Sequence, residues 1–137
     1  MNILVVDAQG GGIGRQLVAA LKQRIPNAAV TAVGTNNAAT SVMLKEGADH
    51  AATGENAVIV GARTADIIVG PVGIVIADSL FGEITPVMAA AIGQSRAKRI
   101  LIPVSHCDNI VAGVSEASIT SLVQDAVDKI SGLLANS

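Results

Sequence analysis

The chain has 137 residues, which is the length of one domain, and we expect a single domain over residues 1–137. Half of the residues are apolar, 15% are charged and the formal net charge is −2, so the charge balance gives no reason to expect binding to DNA or RNA. With one Phe and neither Tyr nor Trp, the core must be built from Val, Ile, Leu and Ala. This composition is typical of a buried parallel sheet covered by Ala-rich helices.

Cysteine content and hydropathy narrow the class further. The single cysteine, Cys107, excludes an intramolecular disulfide. The apolar run Met1–Val6 is too short for the core of a signal peptide. No segment approaches the roughly 20 apolar residues that a membrane helix needs. We therefore expect a cytoplasmic protein that does not enter the membrane.

Strand and helix patterns alternate in the first half of the chain. Continuous apolar runs predict buried strands, and apolar residues at helical spacing between capping residues predict helices. In chain order these are a strand over Asn2–Asp7, a helix over Ile13–Ile25, a strand over Ala29–Gly34, a helix capped by Thr35 or Asn36 and stopped at Gly47, a short strand over Ala48–Thr53, a helix over Glu55–Thr64 and a strand over Asp66–Pro71.

The second half continues the alternation less regularly. The apolar segment Val72–Phe81 fits either a short buried helix or a strand, because its periodicity does not separate the two. The last helix carries an apolar stripe from Ile119 to Leu134. Between them we expect a helix over Thr85–Ser95 with Thr85 as N-cap and Pro86 at its first position, a strand over Lys98–Pro103 and, as a candidate sixth strand, Asn109–Val114.

This alternation indicates the fold class. Buried strands joined through helices form a parallel sheet with right-handed crossovers. We expect a three-layer, doubly wound α/β domain, Rossmann-like, with a mainly parallel sheet of five or six strands. In such sheets the ligand lies beyond the carboxyl ends of the strands, where the strand order reverses.

Four glycines stand within five residues immediately after the first predicted strand, in the segment Asp7–Gly14. Glycine lowers stability unless the backbone needs positive φ or must be approached closely. Free amides at a helix start, together with the helix dipole, favour an anion such as phosphate. Gly14 is expected to let the first helix pack close to the first strand. The loop residues that we predict to bind a ligand are Asp7, Gln9, Gly10, Gly11, Gly12, Ile13 and Gly14.

The same segment resembles the Thr-Gly-x-x-x-Gly-Ile-Gly loop of short-chain dehydrogenases, with Gly12, Ile13 and Gly14 matching. The resemblance covers only about the first thirty residues and implies a dinucleotide-type site. Those enzymes use a Tyr and a Lys in catalysis, and this chain has no Tyr. Their NAD sites hold the ribose with an acidic residue at the end of the second strand, where this chain has Gly34-Thr35-Asn36.

A resemblance over nearly the whole chain is to a family of small bacterial proteins of unknown function that begin Asp-Gly-Gln-Gly-Gly-Gly-Ile-Gly. Ala8 replaces one glycine of that start. The resemblance implies a Rossmann-like domain and supplies no reaction. The family's other motifs stand here as Gly34–Asn36, Ala52–Asn56, Val69–Ile74, Gly82–Pro86 and Ile100–Pro103.

Further candidate ligand groups follow the other strands. Thr35 and Asn36 are suited to bind a ribose or a phosphate, and equally to cap the next helix. Gly70, Pro71 and Gly73 lie where dinucleotide folds bring backbone to the second ribose, or in a loop with special backbone angles. We include all five in the predicted site.

Other polar residues fit a catalytic or metal site less well. Asp7 is suited to hold Mg²⁺ through water or, more commonly, to accept loop amides. Asp78 and Glu83 fit acid–base chemistry or surface positions near a helix start. His106 and Cys107 are adjacent, and neighbours in a strand point to opposite faces. Ser105 precedes them after the fifth strand. We expect no metal site, because no zinc-type spacing is present.

The leading hypothesis is a small nucleotide-binding protein, with NAD(P) or another adenine nucleotide as cofactor and no assigned catalytic residue. The alternatives are an oligomeric structural or regulatory module that binds no nucleotide, or a small enzyme acting on a phosphorylated metabolite through Asp7, Glu83 or His106. The expected partners are a phosphate-bearing small molecule and other copies of the chain. A weakly charged, apolar domain of this size favours a homodimer or a tetramer, with the interface in the later half.

Overall fold

A computed structural model describes residues 1–104, 109–114 and 117–136. Its elements follow the predicted order closely, with Asn2–Asp7, Ala29–Gly34 and Glu55–Thr64 at the predicted bounds. The elements are β1 (Asn2–Asp7), α1 (Gly12–Arg24), β2 (Ala29–Gly34), α2 (Asn37–Lys45), β3 (His50–Thr53), α3 (Glu55–Thr64), β4 (Ile67–Pro71), a 3₁₀ turn (Val72–Val75), α4 (Pro86–Gln94), β5 (Lys98–Ile102) and α5 (Ile119–Ala135).

The strands form one parallel sheet in the order β3-β2-β1-β4-β5. The order reverses between β1 and β4, so the carboxyl ends of these two strands form the switch point of a doubly wound sheet. The expected α/β class is confirmed. The candidate sixth strand over Asn109–Val114 is wrong: Asn109 forms an isolated bridge and Ala112 and Gly113 a turn, so the described residues form a five-stranded sheet.

Both faces of the sheet are covered, which explains the continuous apolar strands. In β1, Ile3 and Val5 join the core on the side of α1, α2 and α5. Leu4 and Val6 join the core on the side of α3 and α4. Alternate side chains of a strand point to opposite faces, so a strand buried on both sides must be apolar throughout.

The apolar stripe of α5 packs against other elements of the same chain. α5 packs against α1 and β5, and four stripe residues, Val123, Ala126, Val127 and Ile130, are buried. The stripe is therefore covered in large part within the chain, with Ile119, Leu122 and Leu134 partly buried against the same core. Among the described helices, none has the length and hydropathy needed to cross a bilayer.

The ambiguous segment Val72–Phe81 forms neither a single buried helix nor a strand. It makes the 3₁₀ turn over Val72–Val75 and then a series of tight turns. Leu80 and the following Ile84 are buried against α4 and the end of β4, whereas Phe81 is 86% exposed. Packing of Leu80 and Ile84, rather than a repeating pattern, therefore decides its course.

Candidate functional site

A cavity of about 350 Å³ opens at the switch point, at the carboxyl ends of β1 and β4. Its size lies at the lower end of the range of about 300–1,000 Å³ that is usual for small-molecule sites. The wall combines the glycine loop with apolar side chains. Its described lining residues are Asp7, Ala8, Gln9, Gly10, Gly11, Gly12, Ile13, Gln16, Pro71, Leu80, Val104 and Ile119.

Left-handed backbone shapes the loop between β1 and α1. Gln9 has φ of 53° and Gly11 has φ of 72°, and the Gly11 amide donates a hydrogen bond of 3.0 Å to Ala8 O. A Cβ on Gly11 would also lie 2.7 Å from Val42 Cγ2 and 2.9 Å from Ala39 Cα. Both backbone and packing therefore require glycine at position 11.

Gly10 and Gly12 have no such requirement. Neither has φ in the left-handed range, and a Cβ on either would meet nothing within 4 Å. Both line the cavity, and their amides donate to no acceptor among the residues that the structure describes. Both positions therefore combine open space next to the Cα atom with a backbone amide that has no partner within residues 1–104, 109–114 and 117–136.

Gly14 serves packing, as expected. A Cβ there would lie 2.5 Å from Met43 Sδ and 2.9 Å from Asp7 Cβ, so the glycine allows α1 to lie directly on β1 and α2. Gly14 therefore belongs to the support of the loop, and it does not line the cavity.

The Asp7 carboxylate binds the loop from beneath. Its Oδ1 accepts from the Ala8 amide at 2.8 Å and its Oδ2 from the Gly14 amide at 2.7 Å. Burial raises the pKa of Asp7 and nearby Glu83 raises it further, while hydrogen bonds from the Gly14, Ala8 and Ile13 amides oppose the rise. The structural role, in which Asp7 accepts loop amides, is the one that the geometry shows.

Glu83 reaches the same loop from the segment between β4 and α4. Its Oε1 accepts from the Gln9 amide at 3.0 Å, from Thr35 Oγ1 at 2.6 Å and from Asn36 Nδ2 at 2.8 Å. These three hydrogen bonds are called the Glu83 bridge below. Glu83 is half-buried and stands just before the start of α4, and its carboxylate binds the glycine loop.

The bridge stabilises the ionised form of Glu83. Burial raises the pKa, but hydrogen bonds from Thr35, the Gln9 amide and Asn36 together outweigh burial and lower the pKa below its ordinary value. The sequence signal for this role was weak. Glu83 stands in a loop beside Gly82, and nothing local indicates a partner 74 residues away.

Thr35 and Asn36 are engaged with protein in this structure. Asn36 caps α2, with its Oδ1 accepting from the Ala39 amide at 2.9 Å, and its Nδ2 also donates to Gln9 O at 2.9 Å. Thr35 donates to Glu83. Both residues therefore join the end of β2 to the glycine loop, and neither lines the cavity.

At the end of β4 the structure separates the three predicted residues. Pro71 lines the cavity, whereas Gly70 and Gly73 do not. A Cβ on Gly70 would lie 2.3 Å from Val6 O, and one on Gly73 would lie 3.1 Å from Ser79 Oγ. Neither has a left-handed φ, so these two glycines serve close packing rather than a special backbone angle.

The remaining sequence candidates do not add to the site. Ser105, His106 and Cys107 lie outside the described residues. Asp78 is exposed and has φ of 64°. Within the described ranges, no three His, Cys, Asp or Glu side chains are grouped as metal ligands would be.

Comparison with known proteins identifies the family. The sequence matches the family described as "Domain of unknown function (DUF3842)" over residues 2–135, and the chain belongs to that family. The expected membership in a family of unknown function is confirmed. No protein with a curated description matches the sequence significantly.

One solved structure with a similar course of the chain is a dodecameric FMN-dependent Ubix-like decarboxylase from Escherichia coli O157:H7. The two are 21% identical with a TM-score of 0.47, over 96% of this chain and 76% of that one. At this distance the similarity bears on neither the ligand nor the activity of this chain.

Proposed function

For this member of the DUF3842 family, we propose that the cavity at the switch point binds a nucleotide, with a phosphate group at the N terminus of α1. The observation that carries the proposal is the pair Gly10 and Gly12. Backbone conformation and packing explain Gly11 and Gly14, but they explain neither of these two. Both glycines also line the cavity, and close approach by a ligand is a physical reason for glycine at such positions.

The donor set suits a phosphate. Gly12 is the first residue of α1, where backbone N–H groups point out of the helix and the dipole favours negative charge. The amides of Gly10 and Gly12, which donate to no acceptor among the described residues, suit phosphate oxygens. Asp7 accepts the Ala8 and Gly14 amides from below and so keeps the loop in place without covering the cavity side.

The apolar part of the wall suits a nucleoside. Pro71, Leu80, Val104 and Ile119 line the cavity together with the loop. Pockets that combine an apolar wall with a few polar groups are typical of small-molecule sites. Adenine nucleotides, which carry both a phosphate and a flat ring, are the class of ligand that we propose, and NAD(P) is the dinucleotide member of that class to be tested.

Gly12→Val tests the proposal directly. A Cβ on Gly12 meets nothing within 4 Å, so the variant is expected to fold, but the new side chain would cover the amides at the start of α1. Gly132→Val is the matched control, because Gly132 is also helical and a Cβ there also meets nothing within 4 Å. Binding is measured by thermal shift with AMP, ATP, NAD⁺ and NADP⁺, and by calorimetry for each nucleotide that shifts the transition.

A nucleotide present at about 100 times its Kd is expected to stabilise the parent by about 2.7 kcal/mol. Gly12→Val should weaken binding at least about tenfold, which corresponds to about 1.4 kcal/mol, while Gly132→Val leaves Kd unchanged. If no nucleotide shifts the parent's transition, or if folded Gly12→Val binds as tightly as the parent, the phosphate site is refuted. The module without a nucleotide would then be the better explanation.

A further inference from the structure

The cavity ends at the glycine loop on its β2 side. Its described lining residues come from the β1–α1 segment, α1, the end of β4 and three apolar side chains, and none of them belongs to β2 or α2. Dinucleotide folds instead bind their ligand across the switch point, with one half on each side of the first loop. The described lining of this cavity lies on one side of the loop.

The Glu83 bridge fills the other side. Glu83 Oε1 joins the Gln9 amide to Thr35 and Asn36, which follow β2 directly. Asn36 Nδ2 also donates to Gln9 O, which is a second connection across the gap between the glycine loop and the end of β2. A ligand that passed from the start of α1 onto the end of β2 would have to displace these hydrogen bonds.

The segment that carries Glu83 is well anchored. The Asp78 amide donates to Ile84 O at 2.7 Å, and the Glu83 amide donates to Leu80 O at 3.2 Å. Leu80 and Ile84 are buried, at 5% and 0% exposure. Left-handed φ values of 55° at Leu80 and 56° at Phe81 are held by this packing. Moving Glu83 aside would therefore disturb buried contacts as well as the bridge.

Resting on the proposed function, we infer that the Glu83 bridge limits the site to mononucleotides, with the ring on the Pro71 and Leu80 side, and excludes dinucleotides. A nucleoside monophosphate or diphosphate fits between the glycine loop and the apolar wall. The second nucleoside of a dinucleotide has no open path across the loop.

Calorimetry with AMP, ADP and NAD⁺ on the parent chain tests the limit. ADP is included because it carries the pyrophosphate of NAD⁺ without the second nucleoside. AMP and ADP should bind with Kd values within about threefold of each other, and NAD⁺ at least about tenfold more weakly than ADP. Glu83→Ala leaves only the hydrogen bond from Asn36 Nδ2 to Gln9 O across this gap, so the ratio of the NAD⁺ and ADP Kd values should fall at least about threefold below that of the parent.

Two variants distinguish the hydrogen bonds of the Glu83 bridge from the effect of removing a negative charge. Glu83→Gln keeps an oxygen that can accept from the Gln9 amide and Thr35, and it should retain the parent's discrimination. Asp125→Ala removes a carboxylate from the exposed face of α5, where it pairs with Lys129, and should change nothing. Amide hydrogen exchange at Gln9 should be faster in Glu83→Ala than in Glu83→Gln, which reports on the bridge independently of any ligand.

The outcomes distinguish this inference from the proposed function. If NAD⁺ binds the parent as tightly as ADP, the size limit is wrong while the phosphate site stands. If AMP binds well but ADP binds as weakly as NAD⁺, or if Glu83→Gln loses discrimination as Glu83→Ala does, the selectivity does not come from the bridge. If none of the three nucleotides binds, both the inference and the proposed function fail.

Discussion

The carboxylate of Asp7, at the end of β1, accepts a hydrogen bond of 2.7 Å from the amide of Gly14, in the first turn of α1. The contact is possible because Gly14 has no side chain, since a Cβ would lie 2.9 Å from Asp7 Cβ. One residue pair thus sets both the spacing between strand and helix and the position of a buried carboxyl group. Stability should depend on this pair in two measurable ways.

Asp7→Asn should change how stability depends on pH. The pKa of Asp7 is raised in the folded protein, so its contribution is fully present below the unfolded pKa of about 3.9 and is lost as pH rises through the higher folded pKa. Asn cannot ionise and does not show this loss. Urea unfolding over a pH series should therefore show the parent losing stability relative to Asp7→Asn as pH rises.

Glu83 should give the opposite dependence. Its pKa is lowered in the folded protein, so its contribution is present above the unfolded pKa of about 4.3 and is lost as pH falls through the lower folded pKa. In the same urea series, Glu83→Gln should have a lower free energy of unfolding than the parent near neutral pH. This difference should shrink as the solution is acidified. If the stability difference from the parent changed with pH in the same direction for the Asp7 and Glu83 variants, the assignment of the two carboxyl environments would be contradicted.

Gly14→Ala should lower the free energy of unfolding by about 1–3 kcal/mol, because the new methyl group is forced against Met43 and the backbone-held Asp7. Gly132→Ala is the matched control in a helix with open space, and it should stabilise by about 0.5–1 kcal/mol. Urea unfolding measures both. A Gly14→Ala protein as stable as Gly132→Ala would show that α1 does not depend on this close approach.

Thr85→Ala should destabilise the chain by about 1 kcal/mol, because Thr85 Oγ1 accepts from the Met88 amide and caps α4. The same hydroxyl donates to Glu55 Oε1 at the start of α3. Thr85→Ser keeps the hydroxyl and should stay within about 0.5 kcal/mol of the parent. If thermal or urea unfolding showed that Thr85→Ser is as unstable as Thr85→Ala, the cap would not explain the loss.

The chain should form a homodimer or a tetramer through its later half. Five of the eight exposed large apolar side chains among the described residues lie beyond residue 80, and the two most exposed are Ile110 at 90% and Phe81 at 86%. A second copy that covered them would bury apolar surface that one small domain leaves in water. Light scattering at micromolar concentration measures the mass, and a value of 13.7 kDa, that of one chain, would refute the prediction.

Local patterns were sufficient to predict most of the fold. The apolar run of β1 and the capping residues Asn36 and Thr85 act over a few neighbouring residues, so their effects can be read from the sequence. The glycine loop was predictable for the same reason, because a strand, a cluster of glycines and a helix follow one another directly.

Contacts between distant residues were not predictable in this way. Gly70 must be glycine because Val6 O of the neighbouring strand lies where its Cβ would be, at 2.3 Å. Glu83 binds the Gln9 amide across 74 positions because the segment after β4 folds back over the glycine loop. Both contacts depend on the strand order and on the burial of Leu80 and Ile84, which are properties of the assembled core and leave no periodic signal in the chain.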